Sequence, residues 1–462
     1  MTELGPLDSG FMELEDTDRH ISLGIGAVAI VAGPPPTRAE FTARVAKGLE
    51  HNTRLRQRVR RAPLDLTAPV WEDDPNFDLA HHIRWTALPE PADESALREL
   101  IAVDLEERLD RDHPLWQCVV VEHLAGDRWA MIVKAHHSMV DGISGITLFE
   151  GLCDGPGDDG SVHAARAEDR SVGGLSRLVA KGIRLPLVAP RFAVSLVRGL
   201  VPVVYAAVAP SAASSLNGPI GRQRRYVVAR ASLPEIREIG AAFDATVNDV
   251  ALAAIASAYR AVLHKRGEEP TSGRLRILVP ISVRPSDAKY VMDNRVSAML
   301  PYLPIEIEDP VQRLVAVHDR ISQHRAKGEA EAQKSMLSMA ELLPFAVVAW
   351  AFRLAGHFPQ HSVGALATNV PGPRRPLTVH GREVLEILPC IPIAMRLRTT
   401  IAILSYHERL VFGITGDYDT TPDIDLIAEG IEHGIADLLE QSRRRPVVVA
   451  LRGLGAAAGE HD

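Results

Sequence analysis

Two adjacent histidines, His136 and His137, are followed four residues after the second by Asp141 and Gly142. They lie in KAHHSMVDGISG, Lys134 to Gly145, between an apolar run (Trp129 to Val133) and a run with helical spacing (Ile143 to Leu152). That order reads as strand, polar loop, helix, and such a loop is where a scaffold presents a chemical group. An imidazole titrating near neutrality takes a proton from an alcohol or thiol and later returns it. Asp141 has two readings. Either it orients a histidine directly, as in a triad, or it turns away and braces the loop, for example on an arginine. Its place just before Gly142 and the helix suits a capping carboxylate, which favours bracing. Gly142 would permit a positive φ or the close approach of a ligand.

No enzyme nucleophile accompanies the pair. There is no GxSxG elbow, and Cys118, Cys153 and Cys390 are not beside histidines in sequence. A base without a nucleophile points to direct transfer, in which the substrate's own hydroxyl attacks an activated acyl group. Adjacent histidines in an extended segment face opposite ways and seldom share one ion, so no metal is expected. Three other features read as structural. Trp71-Glu72-Asp73-Asp74-Pro75 is a solvated turn. The second pair, His81-His82, lacks Asp-Gly and reads as a surface or half-buried pair. Gly24 to Ala29 fits GxGxxA formally, but no strand precedes it and no helix follows.

The elements that must position the histidines follow from patterning. Strand, turn, strand, loop, helix around residues 117–152 is an α/β layout, and a second α/β half begins near Tyr226. Thr246 and Asp249 form a capping signature opening a long helix to about Lys265, with Asn248 in its first turn. At 462 residues two domains are expected. The divisions drawn are 1–155, a linker and basic apolar segment 156–215, 216–446, and a disordered tail 447–462. Apolar content of 46% and charged content of 24% are those of a globular protein. A net charge of −8 argues against nonspecific nucleic-acid binding. The three separated cysteines suit a reducing cytoplasm, the acidic N-terminus lacks a signal-peptide apolar region, and no run reaches about 18 apolar residues. Ser171 to Ser215 has no Asp or Glu, but carries Arg177, Lys181, Arg184, Arg191 and Arg198 among apolar residues. It reads either as a membrane-surface segment or as packing between the halves.

HHSMVDG resembles the HHxxxDG signature of the CoA-dependent acyltransferase superfamily. Pro114-Leu115-Trp116, Asn248-Asp249, Pro280 to Arg284, Thr368 to Pro373 and the start Pro6 to Phe11 resemble landmarks of the bacterial wax ester synthase/diacylglycerol acyltransferase family. The likeness runs in order over nearly the whole chain and looks strongest to the actinobacterial triacylglycerol synthases. Thr368 stands where that family usually has Ser, and both carry a hydroxyl. The resemblance implies two similar chloramphenicol-acetyltransferase-like halves, mixed sheets flanked by helices, with a channel between them. It implies His137 as general base beside His136, with Asp141 and Gly142 shaping the loop. Asn248 and Asn369 are candidate oxyanion donors, Trp116 lines the acyl path or packs the core, and Arg284 is the candidate partner of Asp141. The expected substrates are long-chain acyl-CoA and a diacylglycerol or long-chain alcohol, with no cofactor and no nucleic acid. The expected setting is the inner membrane face or lipid droplets. Two alternatives remain open: a condensation-type transferase using carrier-bound acyl groups, and a non-catalytic lipid-droplet surface protein.

Overall fold

The structure is a computed structural model that describes residues 2–50, 52–62, 67–140, 142–154, 214–282, 296–326 and 362–444. In chain order it begins with β1 (Thr2–Glu3), α1 (Pro6–Thr17), β2 (Gly24–Ala32), α2 (Arg38–Glu50), β3 (Gln57–Arg60) and β4 (Val70–Asp73). Then come β5 (Ile83–Thr86), α3 (Glu94–Glu106), β6 (Trp116–Leu124), β7 (Arg128–His136) and α4 (Gly142–Leu152). The second part holds β8 (Arg224–Ser232), α5 (Leu233–Phe243), α6 (Val247–Lys265), β9 (Ile277–Ser282), β10 (Val296–Met299) and α7 (Pro310–Ala326). It closes with β11 (Ala365–Pro371), β12 (Thr378–Val379), β13 (Arg382–Cys390), β14 (Thr399–Tyr406), β15 (Arg409–Asp417) and α8 (Asp425–Arg444).

Among the described residues, two six-stranded mixed sheets carry the architecture. One runs β12-β13-β2-β7-β6-β5, the other β10-β9-β11-β14-β15-β8, and a small third sheet is β1-β4-β3. The α/β expectation holds, as does the helix opened by Thr246. Its hydroxyl accepts from Asp249 N–H, and the Asp249 carboxylate accepts from Thr246 N–H. Gly24 and Gly26 serve close packing in β2. A Cβ on Gly24 would meet the Lys134 side chain at 2.7 Å, and one on Gly26 would meet the Val133 carbonyl at 2.5 Å.

One expected boundary needs correction. The span 216–446 is not one self-contained half. β13 leaves the second part to pair antiparallel with β2, and β12 follows it at the edge of the first sheet. Val384, Ile387, Leu388 and Cys390 on β13 are all buried there. Pairing partners far apart in sequence leave no trace in local composition, so the crossover was not legible.

Among the described residues the core falls into three clusters. One fills the second part around α6, and one fills the first part beneath β7. The third joins them, setting Val28, Ile30 and Leu97 against Tyr226, Val228 and Val411. Polar contacts reinforce that seam. The Arg230 guanidinium pairs with Glu386 at 2.8 Å and Glu94 at 2.9 Å, and the Tyr226 hydroxyl donates to Pro389 O. The expected basic segment to residue 213, the tail, Asp141 and Arg284 all lie outside the described residues.

Candidate active site

β7 delivers the histidine pair between β2 and β6, with Gly24 opposite His136. His136 N–H donates to Leu115 O, and His137 N–H donates to Leu23 O, both at 2.9 Å. Strand bonding therefore continues through the pair on both sides. The chain then turns, Met139 N–H reaching back to His136 O at 2.8 Å. Met139 and Val140 are buried, so the middle of HHSMVDG anchors the loop in the core.

The two rings have different surroundings. His136 is 1% exposed. Its Nδ1 accepts Ser138 N–H at 3.1 Å and lies 2.7 Å from Ser138 Oγ. That network assigns the proton of the neutral ring to Nε2. Nε2 sits 3.6 Å from Glu15 Oε2, an ion-pair distance just beyond hydrogen bonding. His137 is only partly buried, and its ring stacks on Phe11 with centroids 4.1 Å apart and planes at 28°.

Both contacts come from α1. Phe11 and Glu15 are one turn apart and share a helix face. Between them Met12 is buried, its sulfur 3.5 Å from Ser138 Oγ. Glu15 is itself buried, and an unpaired carboxylate there would cost several kcal/mol. Three groups offset that cost. Oε1 accepts Leu23 N–H at 2.9 Å, Oε2 accepts from Arg111 at 2.7 Å, and His136 faces Oε2. Burial works to raise the Glu15 pKa, but His136, then Arg111 and the Leu23 amide, outweigh it and hold it at about 2.

The loop between α3 and β6 clamps α1 from outside. Arg108 donates to the carbonyls of Ile21, Glu15 and Asp18. Arg111 also pairs with Asp16 at 2.6 Å, and Arg61 bridges Glu13 and Asp16, each at 2.8 Å. The same loop ends in Pro114-Leu115-Trp116 and lies under the site. Trp116 is 5% exposed, its Nε1–H donates to Leu55 O at 2.8 Å, and it stacks on His82 at 4.5 Å. Of its two expected roles, these contacts are those of core packing.

His82 departs from expectation. It is 3% exposed, with Nδ1 2.8 Å from Trp116 O. Burial is the first cause lowering its pKa, which disfavours the charged ring. Trp116, 34 residues on, supplies the cover that no local pattern announces. His81 stays exposed, stacked on His113 at 4.9 Å.

The second part meets the first at α4. α4 lies against β11, and Val370 of β11 packs on the first part's core. Asn369 Nδ2 donates to Asn248 Oδ1 at 3.4 Å, which joins the two candidate oxyanion donors. Asp249 has a local task, capping its own helix and accepting from His318 Nδ1 at 3.0 Å. Gly142 opens α4. Among the described residues, no group of three or more His, Cys, Asp or Glu is arranged to hold a metal ion. The three cysteines are buried as thiols, and burial pushes Cys153 and Cys390 up to about 12.

Sequence reasoning missed Phe11, Glu15, Arg108 and Arg111 as parts of the site. A signal existed. Acidic Glu13, Glu15 and Asp16 and basic Arg108 and Arg111 are complementary clusters, each beside a family landmark.

Residues 4–251 match the wax ester synthase/diacylglycerol acyltransferase catalytic domain, and residues 292–438 match the C-terminal domain of the same group. A probable diacylglycerol O-acyltransferase of Mycobacterium tuberculosis is 44% identical over 453 residues, covering 97% of this chain and 98% of its own. The wax ester synthase/diacylglycerol acyltransferase of Marinobacter aquaeolei VT8 superposes with a TM-score of 0.66 at 24% identity, over 96% of this chain and all of that one. The starter condensation domain of rhizomide synthetase, solved with C8-CoA and Leu-SNAC, superposes with a TM-score of 0.56 at 13% identity, over 96% and 94%. These two structures share the fold.

Proposed function

Because this chain belongs to the wax ester synthase/diacylglycerol acyltransferase family, we propose that it moves a long-chain acyl group from CoA to a free hydroxyl, that of diacylglycerol or a long-chain alcohol, with His137 as general base. One observation carries the choice of histidine. His136 is buried, with Nδ1 committed to Ser138 and Nε2 turned toward Glu15, whereas His137 is the less buried ring of the pair. His137 takes the hydroxyl proton as the oxygen attacks the thioester carbonyl. The tetrahedral intermediate collapses to ester, and CoA leaves as a thiol with the proton from His137. No acyl-enzyme forms and no cofactor is needed. The pairing of the Asn248 and Asn369 amides supports an oxyanion role for the two together. The substrates meet in a channel between the two sheets.

We place the enzyme at the cytoplasmic membrane face or on lipid droplets, which suits its water-insoluble acceptor. The basic apolar sequence between Ser171 and Ser215 supports that placement. Among the described residues no single helix is long and apolar enough to cross a membrane.

Purified protein with radiolabelled palmitoyl-CoA and diacylglycerol or hexadecanol should form labelled triacylglycerol or wax ester. Unchanged turnover by His137→Ala would refute the base assignment. The likeness to condensation domains favours one rival, transfer from a carrier-bound acyl group. Product formation that requires a phosphopantetheinylated carrier, with none from free acyl-CoA, would establish it.

A further inference from the structure

We propose that Glu15 is a positioning residue for acyl transfer, setting from α1 the backbone and neighbours of His137. The proposal rests on the reading of His137 as the base. Its geometry is a bracket around one residue. Glu15 Oε1 accepts Leu23 N–H at 2.9 Å, and the carbonyl of that same Leu23 accepts His137 N–H at 2.9 Å. Glu15 Oε2 faces His136 Nε2 at 3.6 Å, and the other nitrogen of that ring accepts Ser138 N–H at 3.1 Å. The carboxylate therefore acts on the strand that holds His137 and on the residues before and after it. One helical turn earlier, Phe11 carries the His137 ring on its face.

A surface carboxylate could not do this. Glu15 is 1% exposed, with Arg111 on Oε2 at 2.7 Å and Arg108 on its own carbonyl. Held at both ends, it has little freedom to relax away. The position of His137 relative to α1 then depends on a charge that neither substrate touches. Small misplacements of a base lower turnover far more than they lower binding.

The test is steady-state kinetics on the full-length protein with palmitoyl-CoA and diacylglycerol. Glu15→Gln keeps the length and an acceptor for Leu23 N–H, but removes the charge facing His136 and Arg111. The expected result is a kcat reduced about tenfold or more, with both KM values within about twofold of wild type. In a His136→Ala background the Glu15→Gln substitution should cost much less, because the route through the ring is already gone. Glu15→Asp, charged but one methylene shorter, should recover part of the loss, and it carries the test should Glu15→Gln fail to fold. A folded Glu15→Gln protein with wild-type kcat would overturn the proposal. So would a full, additive loss in the His136→Ala background, or Glu15→Asp turning over no faster than Glu15→Gln. His137→Ala, assayed alongside, separates the two ideas. If that variant stays active, the base reading fails whatever Glu15 does.

Discussion

The chain holds two histidine doublets, His81-His82 and His136-His137, and they share a plan. In each, one ring is buried and bonded through Nδ1, His82 at Trp116 O and His136 at Ser138. In each, the companion ring stacks on an aromatic neighbour, His81 on His113 and His137 on Phe11. They differ in what lies behind the buried ring. A carboxylate, Glu15, faces Nε2 of His136, and α1 crosses both rings of that pair. Trp116 covers His82 with its indole face.

The largest effect should separate the companion rings. His137→Ala should lower kcat about a thousandfold, the scale of a lost general base, whereas His81→Ala should stay within about twofold. Equal losses would erase the distinction between the doublets. Acid titration comes next. The Glu15 carboxyl, at about 2 in the folded chain against 4.5 ordinarily, adds stability that is complete above about pH 4.5 and lost as the pH falls toward 2. The linked stabilisation is about 3 kcal/mol. His82, whose pKa is lowered by burial, loses its contribution earlier, as the pH falls below its ordinary value of 6.5. Urea melts across this range should show both losses in wild type, the lower one missing in Glu15→Gln and the upper one in His82→Gln.

In the second part, Asn369→Ala should reduce kcat about a hundredfold with little change in KM, as expected for a donor to developing charge. A rise confined to KM would make the pair a binding contact. His82→Ala should cost about 2 kcal/mol in a denaturant melt, from lost stacking and a lost hydrogen bond, while kcat per folded molecule stays near wild type. The smallest effect is expected at Phe11. Its replacement by Leu should lower kcat a few-fold by loosening the His137 ring, and an unchanged kcat would limit α1 to its action through Glu15.

Much of the scaffold was legible. The Thr246–Asp249 capping box follows from local chemistry, and it stands where it was expected. A loop after a strand was legible for the same reason, since apolar periodicity and polar interruption are local signals, but the strand runs further than expected and closes on His136. Glu15 was passed over, although its acidic cluster complements Arg108 and Arg111 in the sequence. On sequence it is one acid among several in an acidic helix, and only burial distinguishes it from Asp16. His82 was misread for a related reason, because Trp116 covers it from a parallel neighbouring strand.

By itself the sequence determined the family, through landmarks in a set order. It determined the helices and strands wherever caps and periodicity are local. Only the tertiary structure decided which histidine is committed to the core and which is presented. It also brought β13 into the first sheet and Asn248 to Asn369. Those outcomes depend on which groups are taken out of water together. Desolvation joins residues by distance in space, so a carboxylate at position 15 and an imidazole at position 136 show their relation only when both are buried.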